Sequence, residues 1–451
     1  MFCDDVRGSR SICAVCSTGR TCDRCRGRDQ RRIFLSQGAF LGRQPIVDRD
    51  QHVVAYELLY RSSRTATFAE IDDVGKAVLR VVVNTFASLG MEAVLGRGQG
   101  FFNVNREVFL SDAVEALPRD RVVIELLENV EPDDPVIRRC RALHEAGFQL
   151  ALDDWVDDDA RLPLLPWVDV VKVDLPAVPP KQLRKVVRTV RRYDALLLAE
   201  KVETREEFET CLRMGFDRFQ GYFFAKPIVL EGADVDPAQA VLVRLMQKIS
   251  AEAEPREIVE SFKQDAKLGL NLLRLVNTAG KATRVALETI EAAVQHIGLE
   301  QLGRWVVILL FAQGGASGMH SPLLVTAAHR GRLMELIAGR GAGSAEVGIE
   351  GQRAFLVGML SLADALLGRR LGDLVRELRV SDEVSRALTH HEGPLGELLS
   401  LAEAVERNEV QKFEPELDRF GLGLDSLQEL DNDSYEWLHG LQQSGDQAGA
   451  S

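Results

Sequence analysis

At 451 residues the chain is longer than one ordinary core fills, so two or three domains are expected. Hydrophobic residues make up 46% and charged residues 27%, a globular balance rather than a disordered one. Lys and Arg number 55 against 68 Asp and Glu, and the net charge of −13 excludes a broadly basic nucleic-acid-binding face while leaving room for a small anionic ligand in a local basic or metal-loaded pocket.

The first 37 residues are rich in Arg and Cys and poor in apolar residues, and read as a disordered leader. Cys13-Ala-Val-Cys16 and Cys22-Asp-Arg-Cys25 could place four thiolates around one zinc ion. Five residues separate the pairs, against the usual spacing of about 15 to 20, so incidental cysteines or an over-extended reading-frame start compete with the zinc reading. The segment has no apolar signal core and no later stretch approaches the roughly 20 apolar residues that cross a bilayer, so a cytoplasmic protein without membrane contact is expected. Cys140 and Cys211 stand isolated, which suits a reducing compartment.

From residue 38 to about 235 short apolar runs alternate with amphipathic helical periods. The expected strands are Phe40–Val47, Gly100–Val104, Arg121–Leu126, Phe148–Leu152, Val168–Val173, Leu196–Ala199 and Arg218–Phe223. Helical periods fall at Val74–Leu89, Val136–Ala146, Lys181–Tyr193 and Arg205–Met214. Seven or eight such units predict an α/β fold of the (β/α)8-barrel type, and no Gly-rich phosphate loop follows any strand to favour a doubly wound sheet.

Polar residues gather at the strand ends: Asn103, Glu125 with Glu128, the pair Asp153-Asp154, Lys172 with Asp174, Glu200 with Glu203, and Gln220. In a parallel barrel these ends share one rim, so the side chains converge. Any one of them reads most simply as a solvated loop residue or helix cap, and Asp157-Asp158-Asp159 reads as an acidic turn. Six strand ends with the same chemistry are harder to dismiss. Crowded carboxylates with little positive charge call for divalent cations, and an all-oxygen donor set without Cys or His points to Mg²⁺ or Mn²⁺. Such ions suit phosphodiester hydrolysis.

With these residues the segment resembles the EAL family of cyclic di-GMP phosphodiesterases. Arg43-Gln44-Pro45-Ile46 is followed by Tyr56-Glu57-Leu58-Leu59-Tyr60-Arg61, in which Leu58 stands where the family has Ala. The resemblance implies metal ligands at Glu57, Asn103, Glu125, Asp153 and Asp154, with catalytic roles for Lys172 and Glu200. It further implies substrate contacts at Arg61 and Gln220 and supporting roles for Glu128 and Glu203. One departure stands out. The family's Gly-containing loop after the Asp pair is replaced by Trp155-Val156-Asp157-Asp158-Asp159-Ala160-Arg161-Leu162-Pro163. That loop supports metal binding and dimer contacts in the family, so its replacement implies slow or lost turnover and bears on whether a homodimer forms.

Beyond Lys226-Pro227 strand signals end. Helical periods follow at Val241–Ser250, Pro255–Lys263, Leu268–Asn277, Leu287–Gly298 and Leu302–Ala312, with more beyond. This half, residues 236 to 435, resembles the HDOD family through Asp265, Leu272–Asn277 and Ile290–Gly298 leading into Leu302–Trp305. No His-Asp dipeptide occurs in the chain, His390-His391 reads as an exposed or capping pair, and His296 as support for a helix end. The half is therefore expected to bind a protein partner. The acidic stretch from Glu403 onward carries Leu, Phe and Trp437 at helix-like spacing and is expected to form a terminal docking helix, with residues 436–451 as the tail and Gln442–Ser451 as its disordered end. Two functions remain open: a cyclic di-GMP-linked signalling protein with a weakened or silent barrel, and an active phosphodiesterase that yields the linear dinucleotide.

Overall fold

The computed structural model describes residues 2–4, 10–12, 39–62, 91–156, 160–223, 237–251, 253–263, 268, 272, 289–313, 318–341 and 349–449. Four expectations lie outside them: the Cys13, Cys16, Cys22 and Cys25 site, the helix at 74–89, the acidic turn 157–159, and Asp265 with residues 273–277.

Eight strands close a barrel in the order β8-β1-β2-β3-β4-β5-β6-β7. They are β1 (Ala39–Asp48), β2 (Val53–Ser62), β3 (Gln99–Val104), β4 (Val122–Leu126), β5 (Gln149–Leu152), β6 (Val170–Asp174), β7 (Leu196–Glu200) and β8 (Arg218–Gln220). Strand β2 was not expected as a separate strand. It pairs antiparallel with β1 through a hairpin in which Gln51 adopts a left-handed φ of 61°. Strand β1 is also antiparallel to β8, and the other neighbouring pairs are parallel.

The helices between strands carry their own start signals. Helix α1 (Asp134–Glu145) is capped by Asp133, whose carboxylate accepts the Val136 N–H at 3.1 Å. Helix α2 (Pro180–Val190) buries Leu183, Val186 and Val190 against the barrel. Helix α3 (Arg205–Met214) opens on a reciprocal Thr204–Glu207 capping box and ends at Gly215, which is left-handed at φ 101°. Strand β8 is shorter than the expected Arg218–Phe223 because Gly221, at φ 143°, turns the chain where a Cβ would lie 2.1 Å from the Val202 carbonyl oxygen.

Inside the barrel the two-residue period of strands sorts the side chains into layers. Ile46, Ala55, Phe101, Val123, Ala151, Val170 and Leu198 form a separate apolar plug. The outward faces of the strands join the main core with the surrounding helices.

Within the leader that was expected to be disordered, Phe2–Asp4 and Arg10–Ile12 pair as a two-stranded antiparallel sheet. The described chain beyond the barrel is helical. It includes α4 (Pro237–Ser250), α5 (Pro255–Lys263), α6 (Ile290–Gln313), α7 (Pro322–Gly341), α8 (Gly351–Leu360), α9 (Asp382–His390), α10 (Gly393–Glu406), α11 (Val410–Leu417) and α12 (Leu424–Gly449). The two helices expected on either side of Gly298 are there: α6 breaks at Gly298, whose backbone is non-helical at φ 75° and ψ 167°. His390 ends α9 and His391 caps it in the left-handed region, as a capping pair would. No helix among the described residues is long and apolar enough to cross a membrane.

The final helix does not stop at residue 435. It continues to Gly449, and Leu438, His439, Leu441 and Gln442 beyond that boundary are buried. Gln428, Asp431, Asn432, Tyr435, Leu438, His439 and Gln442 recur at helical spacing, so a largely polar face is the buried one. That face docks on β1 and β2. Arg43, with no exposed side-chain surface, donates to Asp431 at 2.6 Å and to Asn432, and its guanidinium lies 4.5 Å from the Tyr435 ring centre. Asp431 also meets His329 of α7 at 2.9 Å. The Leu41 N–H donates to Gln428, and Phe40 packs edge-on against Phe413 with ring centres 5.3 Å apart.

Truncating one partner of a buried pair strands the other charge. Asp431→Ala is therefore expected to destabilise the full chain by about 3–5 kcal/mol in urea unfolding. A loss below about 1 kcal/mol, the scale of an exposed pair, would contradict this reading of the interface.

Candidate functional site

Two residues along each strand from the apolar plug, the period places a second, polar layer at the rim. From Ala55, Phe101, Val123, Ala151, Val170 and Leu198 it leads to Glu57, Asn103, Glu125, Asp153, Lys172 and Glu200. Strand β1 runs the other way, so Gln44 rather than a later residue joins from Ile46, and Gln220 closes the ring from β8. Five of the expected strand-end residues, together with Gln220 and the motif residue Glu57, are thus brought together.

Lys172 stands at the centre, 1% exposed. Its ammonium contacts Glu125, and lies 2.8 Å from Glu200, 3.1 Å from Asp153 and 3.3 Å from Glu57. Glu57 also accepts from Asn103 Nδ2 at 3.1 Å and from Gln220 Nε2 at 2.6 Å, while Gln220 Nε2 reaches Gln44 Oε1 at 2.8 Å. Gln44 was quoted in the sequence motif without a role; its inward register two residues from Ile46 was the signal available.

Four carboxylates around one cation leave negative charge in excess, and burial acts on every one of these ionisations. Burial opposes the charge on Lys172, but Glu125, Glu57, Glu200 and Asp153 outweigh burial and hold the ammonium well above its usual range. Burial raises Glu125 well above the carboxylate range and pushes Glu200 up to about 7. Asp153 is also penalised by burial, yet Lys172 brings it below its ordinary value. Asp154 is raised, by burial first and by Asp153 next.

Asp154 leaves the layer because its backbone turns to φ 45°. Its carboxylate instead joins those of Glu128 and Asp153, with one oxygen of each within 4.8 Å of the others. Two hydrogen bonds steady this strand end: the Trp155 N–H donates to the Lys172 carbonyl at 2.8 Å, and buried Arg161 donates to the Asp154 carbonyl at 3.3 Å. A cleft of about 470 Å³ opens here, lined by Glu128, Asp154, Trp155, Arg161 and Asp174 among others. On the substituted loop Val156 and Leu162 are the large apolar side chains that stand exposed among the described residues. Glu203 is exposed, and its N–H donates to Glu207 at the entry to α3, away from the polar layer. Arg61 lies on β2, with its side chain outside the described residues.

The donor set fits divalent cations. Asn103 Oδ1, Glu125 Oε2 and Gln220 Oε1 are buried oxygens without a hydrogen-bond partner, all opening on an acidic layer that has no sulfur or imidazole. Unpaired buried oxygens of this kind are costly unless something positive or donating meets them.

The fold is an α/β barrel with an acidic rim, followed by a helical half. The EAL domain model matches residues 29–227 and the HDOD domain model matches residues 237–392. Cyclic di-GMP phosphodiesterase CdgJ of Vibrio cholerae is 32% identical over 405 residues, covering 88% of this chain and 92% of that protein. YuxH of Bacillus subtilis is 30% identical over 414 residues, covering 89% of this chain and 98% of that protein. Among solved structures, the manganese and cyclic di-GMP complex of Klebsiella pneumoniae BlrP1 at pH 9.0 is 28% identical and covers 42% of this chain and 56% of that one, with a TM-score of 0.37. This chain belongs to the EAL–HDOD family of signal transduction proteins.

Lys172→Met removes the cation that four carboxylates share. In EDTA at pH 8 it is expected to cost about 3–5 kcal/mol, with part of the loss recovered on adding Mn²⁺, both read from urea unfolding. Glu200 gives a pH signature in the metal-free chain. Its folded value of about 7 lies above the ordinary 4.5, so its contribution is complete below about 4.5 and is lost as pH rises through 7. Glu200→Gln should flatten that part of the stability–pH curve; an unchanged slope would contradict the assignment.

Proposed function

We propose that this chain is a cyclic di-GMP-linked signalling protein whose barrel holds Mg²⁺ or Mn²⁺ and hydrolyses cyclic di-GMP to the linear dinucleotide. The observation that carries this is the polar layer, in which buried unpaired oxygens of Asn103 and Glu125 face four carboxylates and a central Lys172. The similarity to a protein named as a cyclic di-GMP phosphodiesterase, over nine-tenths of that protein's length, supports the same reading.

Glu57, Asn103, Glu125, Asp153 and Asp154 hold the ions. Bound there, divalent cations supply a Lewis acid for the phosphoryl oxygen and lower the pKa of bound water. Glu200, which burial keeps a stronger base than an exposed carboxylate, accepts the proton of the attacking water. Lys172, 2.8 Å from Glu200, keeps that carboxylate in place and offsets charge developing on phosphate. Gln220 spends its N–H groups on Gln44 and Glu57 and keeps Oε1 for a ligand donor. Arg61, by its place in the Glu57–Arg61 motif, is the proposed substrate-contacting cation. Glu128 steadies the strand end that carries Asp154.

A second reading has its own support. The loop that follows Asp154 lacks the family's glycines and carries exposed Val156 and Leu162, which favours a barrel that binds the dinucleotide, or a protein partner, without turning it over. In both readings the HDOD half binds a protein partner, and the barrel is the natural place for homodimer contacts.

The decisive experiment is purified full chain with Mn²⁺ and cyclic di-GMP. The expected result is linear dinucleotide, reduced to background by Glu57→Ala. Calorimetric binding without product would sink the hydrolase and leave a receptor, and the absence of both would leave an interaction scaffold.

A further inference from the structure

We infer that the helical half is a working part of the barrel's site: Arg43 and Tyr222 are positioning residues that set the carboxylate of Glu57 from across the domain boundary. This rests on the proposal that Glu57 holds a divalent ion.

The argument begins from what grips Glu57. Gln220 donates to its Oε2 at 2.6 Å and is itself held by Gln44 at 2.8 Å. Each residue of this chain of contacts has a close sequence neighbour anchored in the helical half. Successive strand residues face opposite ways, so while Gln44 points into the barrel, Arg43 points out, into the fork formed by Asp431 and Asn432 of α12. Tyr56, beside Glu57, stacks edge-on against Tyr435 with ring centres 5.8 Å apart. Two residues past Gln220, the Tyr222 hydroxyl donates to the Glu406 carbonyl of α10 at 3.0 Å, and the Glu406 carboxylate is in turn fixed by Arg330 of α7 at 2.6 Å.

The link from Tyr222 to Gln220 is short and stiff. Gly221 between them has its backbone against that of Val202, leaving no room even for a Cβ, and Val202 donates back to the Gln220 carbonyl at 3.0 Å. A shift of α10 at Tyr222 is therefore passed to Gln220 rather than absorbed. The choice of residues points the same way. A buried Arg–Asp pair is a poor source of net stability compared with apolar packing, but it fixes direction and register. Apolar adhesion between the halves is supplied by Phe40 on Phe413, whereas Gln428, which meets both the Leu41 backbone and Asn432, belongs to the same polar seam as the Arg43 fork. Residues that orient a metal ligand from behind typically change metal affinity by about 10–100-fold when altered.

The test is Mn²⁺ titration calorimetry on the full chain, with folding checked by urea unfolding. Tyr222→Phe removes one hydroxyl, Arg43→Lys keeps charge but loses the fork, and Phe413→Leu loosens the same interface away from Glu57. The expected result is Mn²⁺ affinity lowered about tenfold in Tyr222→Phe and Arg43→Lys, with Phe413→Leu within about twofold of wild type. If turnover is present, kcat at limiting Mn²⁺ falls in the first two, KM for cyclic di-GMP holds, and excess Mn²⁺ restores the rate. Wild-type affinity in Tyr222→Phe and in folded Arg43→Lys would overturn the inference while leaving the metal site intact. Equal weakening by Phe413→Leu would overturn it in favour of general loosening. No Mn²⁺ binding by wild type would overturn the metal reading, and this inference with it.

Discussion

The ammonium of Lys172 is the interaction on which the barrel's upper half depends. Four carboxylates reach it from β2, β4, β5 and β7, so a single charge ties together strands that are not all neighbours. It does so at a cost, because each ion in the layer has been taken from water. Burial first, and the neighbouring carboxylates after it, raise Glu125 and Glu200 despite the cation beside them. A site in this condition is poised to take up further positive charge, and the same imbalance that strains the metal-free chain is what gives divalent ions their purchase.

Directly beneath it lies a dry apolar plug, and the two layers are one pleat apart. The plug explains why the charges stay where they are: water cannot reach them from below, and the strands cannot slip by one residue without burying carboxylates among the outward core. Rigid support of this kind is what a site needs if its groups are to act on developing charge without reorganising.

Much of the barrel was legible because its strands are short apolar runs, and runs of β-branched and aromatic residues announce themselves. Asn103, Glu125, Asp153, Lys172 and Glu200 were legible for a related reason, each being a polar residue closing such a run. Strand β2 was not read as a strand, since Glu57 interrupts its apolar pattern and only the hairpin turn at Gln51 separates it from β1. Gln44 was quoted but not understood; an amide beside a proline carries no signal until the antiparallel register is known. A terminal docking helix was legible from Leu, Phe and Trp437 at helix-like spacing, but the face by which α12 docks was not. Gln428, Asp431, Asn432 and His439 look like a solvated face, and hydrophobic periodicity assigns such a face to water. Their partners, Arg43 and the Leu41 backbone, lie almost 400 positions away in the chain, and only the folded structure brings them together.

Reversal of the first strand has one more effect. In an all-parallel barrel the chain enters at the floor and the residues ahead of the first strand are kept away from the rim. Here β1 runs downward, with Ala39 beside Ser62 at the level where the other strands finish. The polypeptide therefore makes its entrance at the mouth. The first barrel strand thus joins the preceding chain at the doorway of the site rather than at its foundation.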